Sequence, residues 1–275
     1  MNTFQKIIKY VAMSFAIILT LIILTGIVGV VSSLASFSND WEEDGVDFSR
    51  VFMDIESLDL RNSVGKLRVK LGSDFRVEAT NVSKRFRAEE KDGTLFIEES
   101  YSKGFLWFNI GKPNKNAIIT VYVPADFMAK SIKIDGGVGE VNLEDLTTDY
   151  LYINAGVGNL HGRNLYAKKV DIDGGVGDTR FEDVDFTDVN FDGGVGNASI
   201  EGSMYGNLEF DCGVGSTYVK VDGARKDYLL RIDGGLGRIR VNGHKVSGKY
   251  NDYYEADNTI IIDGGVGNVD IEFSY

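Results

Sequence analysis

Seven copies of a glycine-rich phrase, Asp-Gly-Gly-Val-Gly and its close variants, recur along this chain at nearly regular intervals. The copies begin at Asp135, Asn154, Asp173, Asp192, Asp211, Asp233 and Asp263. The first five are 19 residues apart, and the last two intervals are 22 and 30 residues. A repeat of about 20 residues is typical of a solenoid, in which each coil buries its apolar face against its neighbours. One such phrase could cradle a phosphate, but seven at a nearly constant pitch indicate architecture.

Apolar residues occupy the positions one and three before each opening Asp or Asn, while the residue between them varies. The position directly before the phrase holds Ile134, Ile153, Ile172, Phe191, Phe210, Ile232 and Ile262. This alternation is typical of a strand with one buried face, and it resumes after the phrase. Each coil is therefore predicted to be a strand, a glycine corner, a second strand and a polar return loop. The fold class that follows is all-β, a parallel β-solenoid of about eight coils with 19-residue repeats, preceded by one transmembrane helix.

The columns within the corner differ in the residues that they accept. The third position is always glycine, at Gly137, Gly156, Gly175, Gly194, Gly213, Gly235 and Gly265. The fifth is also always glycine, whereas the second accepts Ala155 and Cys212. We therefore expect the third and fifth positions to need positive φ or close backbone approach, and the second to need only a small side chain. The fourth column is predicted to point back into the core, at Val138, Val157, Val176, Val195, Val214, Leu236 and Val266.

The sequence divides the chain into five segments. They are a cytoplasmic N-terminus (1–9), a transmembrane anchor (10–36), an acidic linker (37–52), a cap with a first degenerate coil and a hairpin insertion (53–130), and the solenoid repeats (131–275). The hairpin is predicted at Asp92-Gly93, between two strand-like runs. The degenerate coil around Val64 and Gly65 keeps the apolar columns but lacks the full phrase.

Residues 10–34 carry no charged side chain and would span ~37 Å as a helix, enough to cross a bilayer. Lys6 and Lys9 precede this run, and acidic residues follow it. The positive-inside rule then predicts a single-pass protein of the cell membrane, with the N-terminus cytoplasmic and the solenoid extracytoplasmic. The alternative is a cleaved signal peptide, since Ser33-Leu34-Ala35 resembles a cleavage site.

Composition and charge exclude several classes of function. The net charge of −12 argues against nucleic acid as a partner, and the single cysteine, Cys212, excludes an intrachain disulfide. We predict no catalytic residue, no cofactor and no metal site. Weak calcium binding to the outward Asp column stays open, as does a carbohydrate-active enzyme using Asp173, Asp192 and Asp211. The interpretation that we favour is structural, with each Asp or Asn accepting an Asx-type hydrogen bond from its own corner.

The repeat is interrupted where the interval lengthens to 30 residues. The loop of residues 244–257 there contains His244, Tyr250, Tyr253 and Tyr254, a composition suited to contact with sugars or proteins. We predict these four as a partner-binding site. The alternatives are a lid over the open end of the last coil, and a second copy of the chain stacking on that end. The run Phe105-Leu106-Trp107-Phe108 is a second candidate patch or part of the cap core.

A short basic start, one apolar span, an acidic segment and coils of Asp-Gly-Gly-Val-Gly resemble the "putative adhesin" or toast-rack β-repeat proteins of Gram-positive bacteria, some of which resemble proteins of Lia-type envelope-stress systems. The resemblance covers most of residues 53–275. It implies a non-enzymatic binding or scaffolding role at the cell envelope, tied to envelope stress, with a cell-wall polymer or an envelope protein as partner. The alternatives are a carbohydrate-active β-helix enzyme and a ligand sensor for a membrane partner. The resemblance implies no catalytic residues.

Overall fold

The computed structural model describes residues 45–99, 116–246 and 248–275, and these ranges are all-β apart from one 3₁₀ turn, Arg225–Asp227. The strands are β1 (Val46–Phe52), β2 (Ser57–Gly72), β3 (Phe75–Val82), β4 (Arg87–Lys91), β5 (Thr94–Glu99), β6 (Ile118–Pro124), β7 (Met128–Asn154), β8 (Val157–Asp173), β9 (Thr179–Asp192), β10 (Ala198–Asp211), β11 (Thr217–Val221), β12 (Tyr228–Asp233), β13 (Ile239–Val241), β14 (His244–Val246), β15 (Lys249–Asn251), β16 (Asn258–Asp263) and β17 (Val269–Phe273).

Successive coils pair in parallel and in register, as the 19-residue repeat predicts. Strand β8 pairs with β7 and β9, and β9 pairs with β10, each with an offset of one repeat. Asp173 lies opposite Asn154 on one side and opposite Asp192 on the other. The fold is therefore a parallel β-solenoid in which equivalent residues of the repeats form columns.

The apolar columns before each corner are buried, which confirms the predicted strand face. Ile134, Ile153, Phe191 and Ile260 are each at most 1% exposed. Side-chain volumes compensate between coils: an added Cβ at Gly162 would lie 2.4 Å from the Phe181 ring. The interior is thus filled across coils, as expected of a solenoid whose single coils cannot bury their own apolar face.

The predicted polar return loop is wrong for the central coils, because strand continues through it. Strands β7, β8 and β9 bend at Asp145, Asn164 and Asp183, whose φ angles are +56°, +52° and +54°. Asn and Asp tolerate this left-handed conformation better than other side chains do. A left-handed residue turns the chain and interrupts the pairing with the neighbouring strands only locally. No separate loop is therefore needed.

The coil that comes last in the sequence does not lie at the end of the stack. Strand β16 pairs in parallel with β10 on one side and with β12 on the other. Strand β17 likewise lies between β11 and β13. The corner of Asp263 therefore stands between those of Asp211 and Asp233, and the expectation that residues 271–275 form the open end is wrong. In the 22-residue interval the chain passes over one coil position and forms the coil of Asp233. In the 30-residue interval it returns and fills that position with the coil of Asp263.

The N-terminal end of the stack carries one more coil than the sequence pattern reveals. Strands β5 and β6 both pair in parallel with β2, and residues 100–115, between them, lie outside the described residues. Antiparallel strands then close this end: β4 pairs with β5 through the turn at Asp92-Gly93, and β3 pairs with β6. Strand β1 pairs with β3. It consists of the last residues of the segment that the sequence analysis assigned to the acidic linker.

No helix in the described ranges is long and apolar enough to cross a membrane. The predicted anchor at 10–36 and the aromatic run at 105–108 lie outside those ranges.

The corner glycines let neighbouring coils touch through their backbones. At Gly177 φ is +146°, and an added Cβ would lie 1.8 Å from the carbonyl oxygen of Gly158 in the preceding coil. At Gly175 φ is +61°, and the Cβ would lie 2.1 Å from the Gly156 oxygen. At Gly174 the nearest atoms would be 3.2 Å away. The fifth and third positions therefore exclude a side chain, while the second admits a small one.

The third column reaches this contact in two ways. The φ angle is positive at Gly156, Gly175, Gly194 and Gly213. An added Cβ would lie 2.1, 1.6 and 1.7 Å from a backbone oxygen at Gly137, Gly235 and Gly265, respectively. All seven positions thus exclude a side chain, through an unusual φ angle, close backbone contact or both.

The order of the last three coils can be checked by disulfide cross-linking in a Cys212→Ala background. Ile261 lies opposite Glu209 and, on its other side, opposite Arg231. Neighbouring strands are ~4.8 Å apart, within the Cα–Cα range of disulfides, and alternate strands are roughly twice as far. We expect cross-links in Glu209→Cys/Ile261→Cys and in Arg231→Cys/Ile261→Cys under mild oxidation. Glu209→Cys/Arg231→Cys is the matched control and should stay reduced. Cross-linking of that control and of Arg231→Cys/Ile261→Cys, but not of Glu209→Cys/Ile261→Cys, would restore the sequential order.

Candidate binding surfaces

The predicted bond between the opening Asp or Asn and its own corner forms in the four consecutive repeats from Asn154 to Asp211. In these coils the Oδ1 atom of the opening residue accepts a hydrogen bond from the N–H of the third-position glycine, over 3.2 Å at Asn154, 2.9 Å at Asp173 and Asp192, and 3.2 Å at Asp211. The bond uses one carboxylate oxygen and leaves the other toward solvent. Since amide and carboxylate make the same bond, the fold needs the acceptor oxygen and not the negative charge.

The fourth column of the corner points outward, which corrects the prediction that it belongs to the core. Val138, Val214 and Val266 are 38%, 36% and 45% exposed, and Leu236 is 47% exposed. Val157, Val176 and Val195 are half-buried. These side chains stack from coil to coil in the order Val64, Val138, Val157, Val176, Val195, Val214, Val266 and Leu236. We call this row the valine ridge.

The outward direction of the ridge follows from the strand after the corner. The second position points inward, since Ala155 and Cys212 are only 7% and 5% exposed, and strict alternation would turn the fourth position inward as well. The corner interrupts that alternation. The residue three positions after the ridge residue is buried, as at Val141 and Leu160, so alternation counted back from the second strand places the ridge residue on the outer side. That parity was available in the sequence, because the alternation resumes after the corner. Sequence reasoning missed the ridge because it judged the valines by hydrophobicity alone.

Two polar rows flank the valine ridge along its whole length. On one side lie the opening residues of the corner, from Asp135 through Asn154 to Asp233. On the other side lie the residues two positions after each ridge residue, namely Lys66, Glu140, Asn159, Asp178, Asn197, Ser216, Asn268 and Arg238. Side chains of this second row bond to the next coil; Asp178, for example, accepts from the N–H and Nδ2 of Asn197 at 3.2 and 3.1 Å.

The loop of residues 244–257 caps the outermost coil. Strand β15 pairs antiparallel with β12, and β14 pairs antiparallel with β13. The predicted site residues fall into different environments. Tyr250 donates a hydrogen bond to Asp252, and Tyr254 donates to the Tyr228 carbonyl and accepts from Arg225. Tyr253 is fully exposed, and His244 lies exposed on β14. The loop thus acts as a lid, on the coil of Asp233 rather than on the coil that ends the sequence.

A hydrogen-bonded network around Asp252 fastens this cap. The Asp252 carboxylate accepts from Arg225 at 2.6 Å, from the backbone N–H of Leu230 at 2.7 Å and from Tyr250 at 2.9 Å. Its side chain is 5% exposed. Burial alone would raise the pKa of Asp252, but these hydrogen bonds outweigh burial and hold that pKa below its ordinary value. The network ties the 3₁₀ turn, β12 and the loop together.

Two depressions on the described surface bear on whether it could hold a small molecule. Two shallow depressions beside the second strand of the coils enclose about 150 and 210 Å³, lined by His161, Arg163 and Arg180 and by Glu201 and Lys220, respectively, among others. No cluster of three or more His, Cys, Asp or Glu side chains in the described ranges is arranged to hold a metal ion. The aspartates considered for catalysis, Asp173, Asp192 and Asp211, all make the same structural bond.

The repeating corner, the parallel coils and the antiparallel caps define the architecture independently of any relative. Residues 55–251 match the protein family described as Toastrack DUF4097. The chain belongs to this family. No curated protein matches it.

Several solved structures are similar to this Toastrack chain. One is a putative cell adhesion protein from Clostridium sporogenes, with 19% identity and a TM-score of 0.37, covering 83% of this chain and 99% of its own. A putative adhesin from Bacteroides fragilis has 15% identity and a TM-score of 0.40, with coverages of 84% and 98%. A putative adhesin from Parabacteroides distasonis has 16% identity and a TM-score of 0.35, with coverages of 84% and 98%. These likenesses concern the fold alone.

The substitution Asp252→Asn should loosen the C-terminal cap. It removes the charge that pairs with the partly buried Arg225, so we expect a loss of ~2 kcal/mol in the free energy of unfolding at pH 7. Because the folded-state pKa is lowered, the carboxylate stabilises the cap at neutral pH, and this contribution disappears as the pH falls through that pKa. Chemical denaturation at pH 7 and at pH 3 should therefore show a difference at the higher pH that becomes smaller at the lower one.

Asp257→Asn is the matched control, since Asp257 is exposed in the same loop. It should change stability by less than ~0.5 kcal/mol. Equal stability of Asp252→Asn and wild type at pH 7 would contradict the role assigned to the network.

Proposed function

We propose that this Toastrack protein is a non-enzymatic solenoid, anchored in the cell membrane, that binds or scaffolds partners on the extracytoplasmic side of the envelope. The observation that carries the proposal is the valine ridge. Branched aliphatic side chains stand at the same outward position in eight adjacent coils, where a solvated structural position would accept polar residues equally well. Exposed apolar surface in a continuous row is typical of an interaction site.

Anchoring is supported by the N-terminal sequence. The span of residues 10–34 carries no charge, follows two lysines and precedes an acidic stretch. This pattern favours a single span with the solenoid outside the cytoplasm. The resemblance to Lia-type proteins of Gram-positive bacteria extends the proposal to the envelope-stress response, with a cell-wall polymer or an envelope protein as the partner.

A binding role is favoured over catalysis by the repetition of the polar groups. Ligand pockets of enzymes are usually ~300 Å³ or larger, and the two depressions are smaller than this. The carboxylates of the Asp column share one environment from coil to coil, whereas acid–base catalysis requires neighbouring carboxylates in different environments. The ridge, by contrast, gains contact area with every coil, which suits an extended partner.

The proposal predicts both the location and the activity of the protein. In intact Gram-positive cells, a cysteine at Ser38 should react with a membrane-impermeant maleimide, whereas one at Thr3 should not. Cys212 adds little background, since it is buried and burial raises the pKa of its thiol to about 11. The full-length protein in phosphatidylcholine nanodiscs should co-sediment with isolated envelope fragments and release no reducing sugar from them.

Empty nanodiscs are the blank for sedimentation. The reverse labelling pattern would overturn the extracytoplasmic placement. Release of reducing sugar would replace the binding role with a carbohydrate-active one, and absence of co-sedimentation with envelope fragments would remove the binding role.

A further inference from the structure

We propose that the central part of the valine ridge binds a basic amphipathic helix of a partner protein. This inference rests on the proposed binding function and specifies its partner. The central ridge consists of Val157, Val176, Val195, Val214 and Val266, one from each of five adjacent coils. Three properties of this surface indicate the kind of partner that it binds. They are the row of apolar side chains, the unneutralised negative charge beside that row, and the distance between equivalent side chains of neighbouring coils.

The negative charge beside the central ridge has no counterpart within the described part of the chain. The two flanking rows contribute five carboxylates and no Lys or Arg over these coils: Asp173, Asp192, Asp211, Asp263 and Asp178. None of the five forms an ion pair with a described residue. At the two ends of the same Asp row, by contrast, Asp135 lies 3.9 Å from Arg61 and Asp233 lies 3.3 Å from Lys249. Charge is thus compensated at both ends and left open in the centre.

The unpaired charges are held close together. Asp173, Asp192 and Asp211 are register partners in neighbouring coils, so their Cα atoms repeat at ~4.8 Å. Two such charges repel by ~1 kcal/mol in water at this distance. A structural role does not require them, because Asn154 makes the same corner bond without a charge. A cationic partner that spans the row would relieve the repulsion.

The spacing favours a helix over an extended strand. On one face of a helix the side chains recur every ~5.4 Å, close to the ~4.8 Å between coils, whereas on one face of a strand they recur every ~6.7 Å. The central ridge is four intervals long, or ~19 Å, which a helix of about 13 residues would cover. Its apolar face would lie on the valines, and its Lys or Arg side chains would reach the Asp row.

A second copy of the chain fits this surface less well. Two ridges facing each other would bring additional carboxylates next to the unpaired ones, and each chain already carries a net charge of −12. Like charges placed opposite each other disfavour an interface.

The test uses fluorescent 14-residue peptides of Leu and Lys in a helical amphipathic pattern, titrated with the full-length protein in phosphatidylcholine nanodiscs and corrected for empty nanodiscs. We expect saturable binding that weakens as salt rises, because the charges lie at the surface. A peptide with Glu in place of Lys should not bind. A peptide of the same composition with a scrambled, non-amphipathic order should bind at least about tenfold more weakly.

Two sets of variants separate charge from apolar contact. Asp173→Asn/Asp192→Asn/Asp211→Asn keeps the corner bond, as Asn154 shows, and should weaken binding about tenfold. Val176→Thr/Val195→Thr/Val214→Thr keeps the branched shape at the ridge and should weaken binding about fivefold with an unchanged salt dependence. Asp185→Asn, on another face of the coil, is the matched control and should bind like wild type.

Several outcomes overturn the inference. Wild-type affinity in both triple variants would place the peptide elsewhere, and equal binding of the scrambled peptide would reduce the surface to a general attraction for cations. Concentration-dependent dimers in sedimentation velocity that vanish in the valine variant would assign the ridge to self-association. If the protein co-sediments with envelope fragments but does not bind the amphipathic peptide, the proposed function stands and only this inference fails.

Discussion

The direct contact of one coil's backbone with the next, at the glycine corner, is the constraint on which the rest of the structure depends. At the fifth corner position the carbonyl oxygen of the neighbouring coil occupies the space of a Cβ; in the pairs Gly177–Gly158 and Gly196–Gly177 that Cβ would lie 1.8 Å from the oxygen. This contact holds the coils at the spacing of hydrogen-bonded strands and fixes their register. Every column, buried or exposed, inherits that register.

The surface follows from the same contact. A corner this tight leaves room inside for only a small residue at its second position. The strand that follows buries the residue three positions after the fourth one, so its alternation turns the fourth residue outward. The valine ridge and the carboxylate row beside it are therefore consequences of the corner, repeated once per coil. Their chemistry is not fixed by it, because the ridge position is exposed and Asn154 shows that the charge can be dispensed with. The repeats nevertheless carry apolar and acidic residues at these positions, where the fold would allow others. This repetition is the feature on which the proposed partner rests.

The ends of the stack are closed by antiparallel strands. A parallel edge presents unpaired N–H and C=O groups that can recruit other chains. At the N-terminal end β3 and β4 cover the outer coil, and at the C-terminal end β14 and β15 do so. The insertion of β16 and β17 places the coil of Asp263 one position inside the capped coil. Asp252 and Arg225 then fasten the cap that results.

Sequence reasoning predicted what depends on a single coil and failed for what depends on the arrangement of coils. The buried columns around Ile153 and Phe191 and the Asx-type bonds of Asp173 and Asp192 follow from local alternation and turn chemistry. The position of the Asp263 coil does not, because all coils have the same pattern and any order would bury it. The direction of the ridge is an exception within the single coil: the alternation of the strand after the corner encodes it, but the valines were judged by their hydrophobicity alone.

The most direct measurement compares Gly177→Ala with Gly174→Ala, two substitutions in one corner, by chemical denaturation. The contact assigned to the fifth position leaves no space for the new methyl group at Gly177, where φ is +146°, while the nearest atoms at Gly174 lie 3.2 Å from it. Gly177→Ala should lose at least ~3 kcal/mol of the free energy of unfolding or fail to fold, and Gly174→Ala should lose less than ~1.5 kcal/mol. Equal losses in the two variants would contradict the claim that backbone contact at the corner sets the stack.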